Sequence, residues 1–306
     1  MGGYQLLRKR QLGQSQLYVS ELGLGAMSFK TKDDAVMIIR SAIEKGINFI
    51  DTADLYGFGE NESWIGEALR HDREHVILAT KVGNRWEEGN SGWTWDPSKE
   101  YIKNAVKRSL KRLNTDYIDL YQLHGGTIDD PIEETIEAFE ELKKEGVIRY
   151  YGLSSIRPNV IKKYLSLSSI VSVMLPYSLL DRRGEELFPL FQKHGISVIA
   201  RGPLAQGVLT EDSAKKTPEK GVLHYTKQEI FNLNEQIVSA LPERTITETA
   251  LQFVLSEPTV ATVIPGASTL LQLENNLEAA TKPTLSDKEL TLLKSMTKDM
   301  IFENHR

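Results

Sequence analysis

Residues 46–70 read GINFIDTADLYGFGENESWIGEALR: an apolar run, a polar and glycine-containing turn, then a helical pattern. Two architectures compete for this stretch. In one, Gly57 and Gly59 open a dinucleotide-binding fingerprint, which belongs to an open, doubly wound sheet. In the other, a strand over 47–51 ends on Asp51 and feeds a loop carrying Tyr56, as barrel strands carry reactive groups at their C-terminal ends. The glycine reading fails on spacing. That fingerprint needs its first glycine tight against the strand and a third where helix meets sheet. Here six residues separate Ile50 from Gly57, and Glu62 holds the third position. Gly57 and Gly59 therefore read as turn residues.

Working outward, short β-rich runs alternate with helical patterns along nearly the whole chain. Strands are expected at 22–27, 47–51, 76–82, 117–123, 148–153, 170–175, 196–200 and 259–264. Several are apolar almost throughout, as parallel strands covered on both faces should be. The helix in DDPIEETIEAFEELKKEG has the clearest punctuation. Asp130 is placed to cap it, Pro131 suits its first turn, and Glu133 completes a capping-box spacing. Ile132, Ile136, Phe139 and Leu142 line one face, and Gly146 stops it. Eight such alternations without a composition break predict an α/β fold, a (β/α)8 TIM barrel forming a single domain over 1–306, with the doubly wound sheet as runner-up. A β-hairpin around Gly13 is expected to cap the barrel bottom, and 287–297 an extra C-terminal helix. Two long loops, 83–97 and 202–231, leave strand C-terminal ends, where barrel enzymes keep their sites.

Composition narrows the function. With 306 residues, 40% hydrophobic and 26% charged, the chain is an ordinary globular protein. A net charge of −5 offers no basic surplus for nucleic acid or an anionic membrane. Lys107, Arg108, Lys111 and Arg112 fall at helical spacing and read as a solvated face. There is no cysteine, which removes disulfides, thiolate nucleophiles and Cys-ligated metal and fits a reducing cytoplasm. No apolar signal core opens the sequence and no stretch approaches a membrane span. A cytoplasmic location is expected, with the oligomeric state open and a monomer compatible with the sequence.

The strand ends carry the chemistry. Asp51 ends the second strand, Tyr56 follows it, Lys81 ends VILATKV, and His124 ends YIDLYQLH. Each has an ordinary explanation alone: a cap, a packing ring, a snorkelling amine, a core imidazole. Together they place Asp, Tyr, Lys and His on one rim. A lysine at the tip of a buried strand needs a partner, and Asp51 is the available counter-charge. A nearby ammonium favours the phenolate of a tyrosine, so Tyr56 is positioned to give a proton to a developing alkoxide. His124 would hydrogen-bond the same oxygen. No group here is a hydride source and no metal cluster is evident, so a nicotinamide cofactor would have to supply the hydride.

At this point the sequence resembles an aldo-keto reductase over nearly its whole length. DTADLYGFGENESWIGEAL is similar to the family's first signature, VIPGASTLLQLENNLEA to its C-terminal cofactor motif, and RGPLAQGVLT to the loop after strand seven. Among branches it looks closest to the bacterial reductases related to potassium-channel β subunits. The resemblance implies Tyr56 as general acid/base, Lys81 and Asp51 tuning it, and His124 orienting the carbonyl. It implies NADPH as cofactor, with NADH left open. Tyr177 would stack on the nicotinamide, beside Gly25, Ala26 and Met27. Gly202, Pro203, Leu204, Gln206 and Gly207 would run along the pyrophosphate. Gly266, Ser268, Gln272, Asn275 and Asn276 would hold the adenosine half.

The chain also departs from the family pattern. Ser154 and Ser155 stand where Ser-Asn is usual, and Met174 where a glutamine is usual, so two of three carboxamide anchors are altered. Methionine is at best a weak acceptor. Arg201 is a candidate replacement. Ser268 and Gln272 would have to hold a 2′-phosphate without the lysine or arginine that usually does so. The loop GNRWEEGNSGWTWDP would select the substrate, with Trp86 foremost beside Met27, Tyr56 and His124. The leading expectation is reduction of small aldehydes or ketones. The alternatives are a slow-turnover, nucleotide-binding redox sensor and a nucleotide-free barrel hydrolase or lyase.

Overall fold

The chain enters through an antiparallel hairpin of β1 (Lys9–Gln11) and β2 (Tyr18–Ser20). The structure, a computed structural model, describes residues 7–87, 89 and 92–306. Positions 88, 90 and 91 of the tryptophan-containing loop, and residues 1–6, lie outside the described residues. The barrel strands follow as β3 (Leu24–Gly25), β4 (Phe49–Asp51) and β5 (Ile77–Val82). A small antiparallel pair, β6 (Asn84–Arg85) and β7 (Thr94–Trp95), then occupies the first long loop. The barrel resumes with β8 (Ile118–Leu123), β9 (Ile148–Ser154), β10 (Ser172–Pro176), β11 (Ser197–Arg201) and β12 (Val260–Ile264).

The eight barrel strands are parallel and stand in chain order. Parallel bridges Leu22–Val263 and Gly25–Gly266 join the first to the last. The fold is a (β/α)8 TIM barrel. Its helices are α1 (Lys32–Glu44), α2 (Glu60–Ala68), α3 (Lys99–Leu113), α4 (Ile132–Lys144), α5 (Pro158–Leu167) and α6 (Phe188–His194). After β11 come α7 (Ser213–Lys216), α8 (Lys227–Ala240) and α9 (Ile246–Leu255). α10 (Leu270–Thr281) follows β12, and α11 (Asp287–Met296) is the extra C-terminal helix, started by a Ser286–Glu289 capping box. The second long loop therefore contains α7 and the first turn of α8.

Side-chain alternation builds two cores. Outward-facing strand residues pack under the helices. Inward-facing Phe49, Ala79, Leu120, Met174 and Ile199 meet Leu12, Leu17 and Val19 from the hairpin, which plugs the barrel bottom. Arg10 of the hairpin donates to the carbonyls of Leu255 (2.7 Å) and Val260 (2.7 Å), fixing the plug. At the turn only glycine fits. Gly13 has φ +56°, and a Cβ there would lie 2.1 Å from the Val171 carbonyl oxygen.

Two local expectations are corrected. Asp130 does not cap α4. Its carboxylate accepts from Thr127 N (2.7 Å), Thr127 Oγ1 (2.7 Å) and Trp95 Nε1 (3.0 Å), which ties the preceding loop to β7 instead. The basic run on α3 is solvated at Lys107, Arg108 and Lys111. Arg112 turns inward and pairs at 2.6 Å with Glu62, whose side chain has no exposure. Gly57 (φ +57°) and Gly59 (φ +90°) are turn residues, with Phe58 between them also left-handed (φ +50°).

Candidate active site

Strand register explains how four distant residues meet. Phe49 and Asp51 on β4, Ala79 and Lys81 on β5, and Leu120 and Gln122 on β8 share the inward face. Asp51 pairs with Ala79, and Lys81 with Gln122. Apolar residues therefore fill the lower layer, and the polar ones stand above it at the C-terminal rim. Lys81, 1% exposed, uses each of its three ammonium donors. Asp51 Oδ2 accepts at 2.6 Å, the Thr52 carbonyl at 2.7 Å, and Tyr56 Oη at 3.4 Å. Gln122 Nε2 donates to the other Asp51 oxygen at 3.2 Å. Burial works against the Lys81 charge, but the Asp51 carboxylate and the Tyr56 phenol outweigh it and hold the ammonium above its ordinary value.

His124 closes the group, its ring edge-on to Tyr56 with centroids 6.0 Å apart. Burial, with the Lys81 and Arg201 cations adding to it, pushes its imidazole down to about 3. It is therefore neutral at physiological pH, with one N–H to donate. Its Nδ1 is buried and has no partner among the described residues.

These groups form one end of a cavity of about 1120 Å³. Gly25, Met27, Ser154, Ser155, Met174 and Arg201 line it near the quartet. Gly202, Pro203, Leu204, Gln206 and Gly207 form one wall, and Gly266, Gln272, Asn275 and Asn276 another. Ala205 (φ +45°) and Gln206 (φ +63°) are left-handed without being glycine. That strain, roughly 1–3 kcal/mol per residue, clusters at ligand clamps. Ser268 donates to Gln272 Oε1 from its amide (2.8 Å) and hydroxyl (3.1 Å), leaving the Gln272 NH₂ for a ligand. The start of α10, capped by Thr269, faces the same end, where a helix dipole favours phosphate. The volume, the left-handed turn, the amide side chains and the unpartnered His124 nitrogen fit a nicotinamide dinucleotide.

Other expected residues are not at the cavity. Ala26 is fully buried, and Ser268 acts through Gln272. Tyr177 is 1% exposed and faces the helices, its hydroxyl donating to Glu185 (2.9 Å) and its ring packed on Phe188 and Phe253. Burial and Glu185 push its phenol upward. Trp86 lies on the outer side of the barrel, edge-on to Phe58 (5.7 Å) and under Arg112 (5.5 Å), in a separate depression. Trp95 packs over Gly83 and Gly125, and Trp93 is exposed. The cavity instead gains Leu55, Ile156, Arg157 and Thr247, together with Thr210, Glu211, Asp212 and Lys216 of the long loop. Gln122, the second partner of Asp51, was also missed, since a glutamine inside an apolar strand has no signature of its own. The lysine pair in EDSAKK was the one available signal for Lys216. Among the described residues no cluster of His, Asp or Glu could hold a metal, and no helix is long and apolar enough to cross a membrane.

Comparison with known proteins agrees with this geometry. The model of the Aldo/keto reductase family matches residues 21–298. The chain is 55% identical over 305 residues to the oxidoreductase YqkF of Bacillus subtilis, covering 98% of this chain and 100% of that one. It superposes on the holo form of aldo-keto reductase AKR11C1 from Bacillus halodurans with a TM-score of 0.94 and 55% identity, over 98% of this chain and 99% of that one. A Klebsiella pneumoniae aldo/keto reductase, solved with NADP and acetate, gives a TM-score of 0.76 at 29% identity, over 95% of each chain. The chain belongs to the aldo-keto reductase family.

Proposed function

We propose that this protein reduces aldehydes or ketones to alcohols with NADPH, taking the proton from Tyr56. One observation carries the reading. The Lys81 ammonium donates to Tyr56 Oη, so the tyrosine oxygen is an acceptor there and its own O–H is left to donate to a substrate in the cavity. When bound, the dinucleotide supplies a hydride to the carbonyl carbon. The rest falls to the chain. Asp51 and the Thr52 carbonyl hold Lys81 in place, and Gln122 holds Asp51. As Tyr56 gives up its proton, the phenolate that remains faces a fixed cation, which favours the charged form. Neutral His124 donates to the carbonyl oxygen and orients it. A positioned acid of this kind contributes about 10² to 10⁴ in rate.

The 2′-phosphate and pyrophosphate would lie among Gln272, Asn275, the Gly202–Gly207 wall and Lys216. Lys216 lines the cavity and makes no ion pair among the described residues. NADP in the Klebsiella relative supports the phosphorylated cofactor.

The test is a titration with NADPH and separately NADH, read by tryptophan fluorescence, followed by turnover with simple aldehydes. Tight NADPH binding and turnover that Tyr56→Phe removes are expected. Equal affinities would reassign the cofactor preference, and binding of neither would overturn the reading. A second reading rests on Met174. Met174 lines the cavity where the family pattern has a glutamine, which favours a nucleotide-binding sensor of slow turnover. Brisk NADPH oxidation with aldehydes would exclude it.

A further inference from the structure

We infer that Arg201 makes the site discriminate between cofactor redox states, holding the reduced dinucleotide more tightly than the oxidised one. The inference rests on the reading above. Arg201 is the last residue of β11, two beyond the inward-facing Ile199, so its side chain leaves the strand on the cavity side, and it lines the cavity. Its guanidinium makes no hydrogen bond or salt bridge among the described residues, while its backbone carbonyl accepts from Tyr177 N–H. The groups that act on its charge most strongly are Tyr56, Asp181, Arg183 and Asp51. Both carboxylates are already neutralised, Asp51 by Lys81 at 2.6 Å and Asp181 by a two-pronged pair with Arg183 at 2.7 and 2.6 Å. Among the described residues Arg201 therefore stands at the catalytic end of the cavity without a carboxylate of its own, as does Arg157, whose guanidinium donates to the Gly126 carbonyl, and His124, neutral, adds no charge.

The hydride and the Tyr56 proton must reach the two atoms of one carbonyl, so the nicotinamide ring belongs at this end. The oxidised ring is a cation and the reduced ring is neutral. A guanidinium with no counter-ion repels the first and not the second. The same arginine can lie against the reduced ring's face without electrostatic cost. Arg201 thus biases the site toward carbonyl reduction and toward release of the spent cofactor.

The experiment measures dissociation constants for NADPH and NADP⁺ on the wild type, Arg201→Gln and Arg201→Lys, by fluorescence titration at fixed ionic strength. The wild type should favour NADPH. Arg201→Gln should shrink the preference by about tenfold, the effect of a unit charge pair at screening between bulk water and protein surface. Arg201→Lys, which keeps the charge, should retain it. A tenfold change lowers the midpoint potential of the bound couple by about 30 mV, since it removes preferential binding of the reduced form. An unchanged ratio in Arg201→Gln, or equal loss of both affinities in both variants, would overturn the inference. Failure of the wild type to bind either nucleotide would instead overturn the function on which it rests.

Discussion

The Lys81 ammonium lies 2.6 Å from the Asp51 carboxylate, with neither side chain more than 4% exposed. A pair this deep is held by mutual need. Removing one partner strands the other charge out of water, at about 3–5 kcal/mol, whereas removing both is far milder. Lys81→Met and Asp51→Asn should each lower the urea midpoint strongly, and the double variant should recover much of the loss. Turnover should stay low in all three. A Lys81→Met protein as stable as the wild type would show that the pair contributes nothing to folding.

His124 gives the protein an acid-side weakness. Its folded-state value of about 3 lies below its ordinary 6.5, chiefly through burial, so the unfolded chain binds its proton first. The stability this group contributes is complete above pH 6.5 and falls away as the pH drops toward 3. By pH 5 the loss is about 2 kcal/mol from this one residue. Replacing it by glutamine should flatten the stability profile between pH 7 and 5, measured as the urea midpoint at each pH. A slope unchanged by the substitution would place the acid sensitivity elsewhere. Because His124 remains neutral throughout, the pH dependence of turnover above 5 should not contain its titration.

The barrel was legible because parallel strands buried on both faces announce themselves as apolar runs. Asp51, Lys81 and His124 were legible for the complementary reason: an ionisable residue closing such a run is hard to explain by packing. Gln122 was not, since its role depends on the register that sets it opposite Lys81, and register is a property of paired strands. The resemblance assigned Tyr177 to the cofactor by position in a motif, and strand parity shows why it lies elsewhere. Met174 faces the interior, so Tyr177, three residues on, faces the helices, while Arg201 keeps the parity of Ile199. Parity along each strand could have been applied to the sequence itself. Trp86 had no such guide, because a long loop has no period.

That reversal of Tyr177 yields a direct prediction. Tyr177→Phe removes one hydroxyl that donates to Glu185, which keeps Arg182 (3.0 Å) and Lys294 (3.3 Å) as partners. The cost should be about 1 kcal/mol, one ordinary hydrogen bond. NADPH affinity should be unchanged, because the buried ring packs on Phe188 and Phe253 and does not line the cavity. A tenfold loss of affinity with intact stability would restore Tyr177 to the cofactor site.

Trp86 should behave as a packing residue. Its ring is edge-on to Phe58 and covered by Arg112, which is itself fixed by the buried Glu62. An aromatic pair and a cation–π contact at a half-exposed site together contribute about 1–2 kcal/mol. Trp86→Ala should lower the urea midpoint accordingly and loosen the loop that begins at β6. It should leave KM for small aldehydes within about twofold, since an interaction absent from both the bound substrate and its transition state changes neither KM nor kcat. A large rise in KM with stability preserved would mean the loop folds over the substrate, and Trp86 would return to the wall of the pocket.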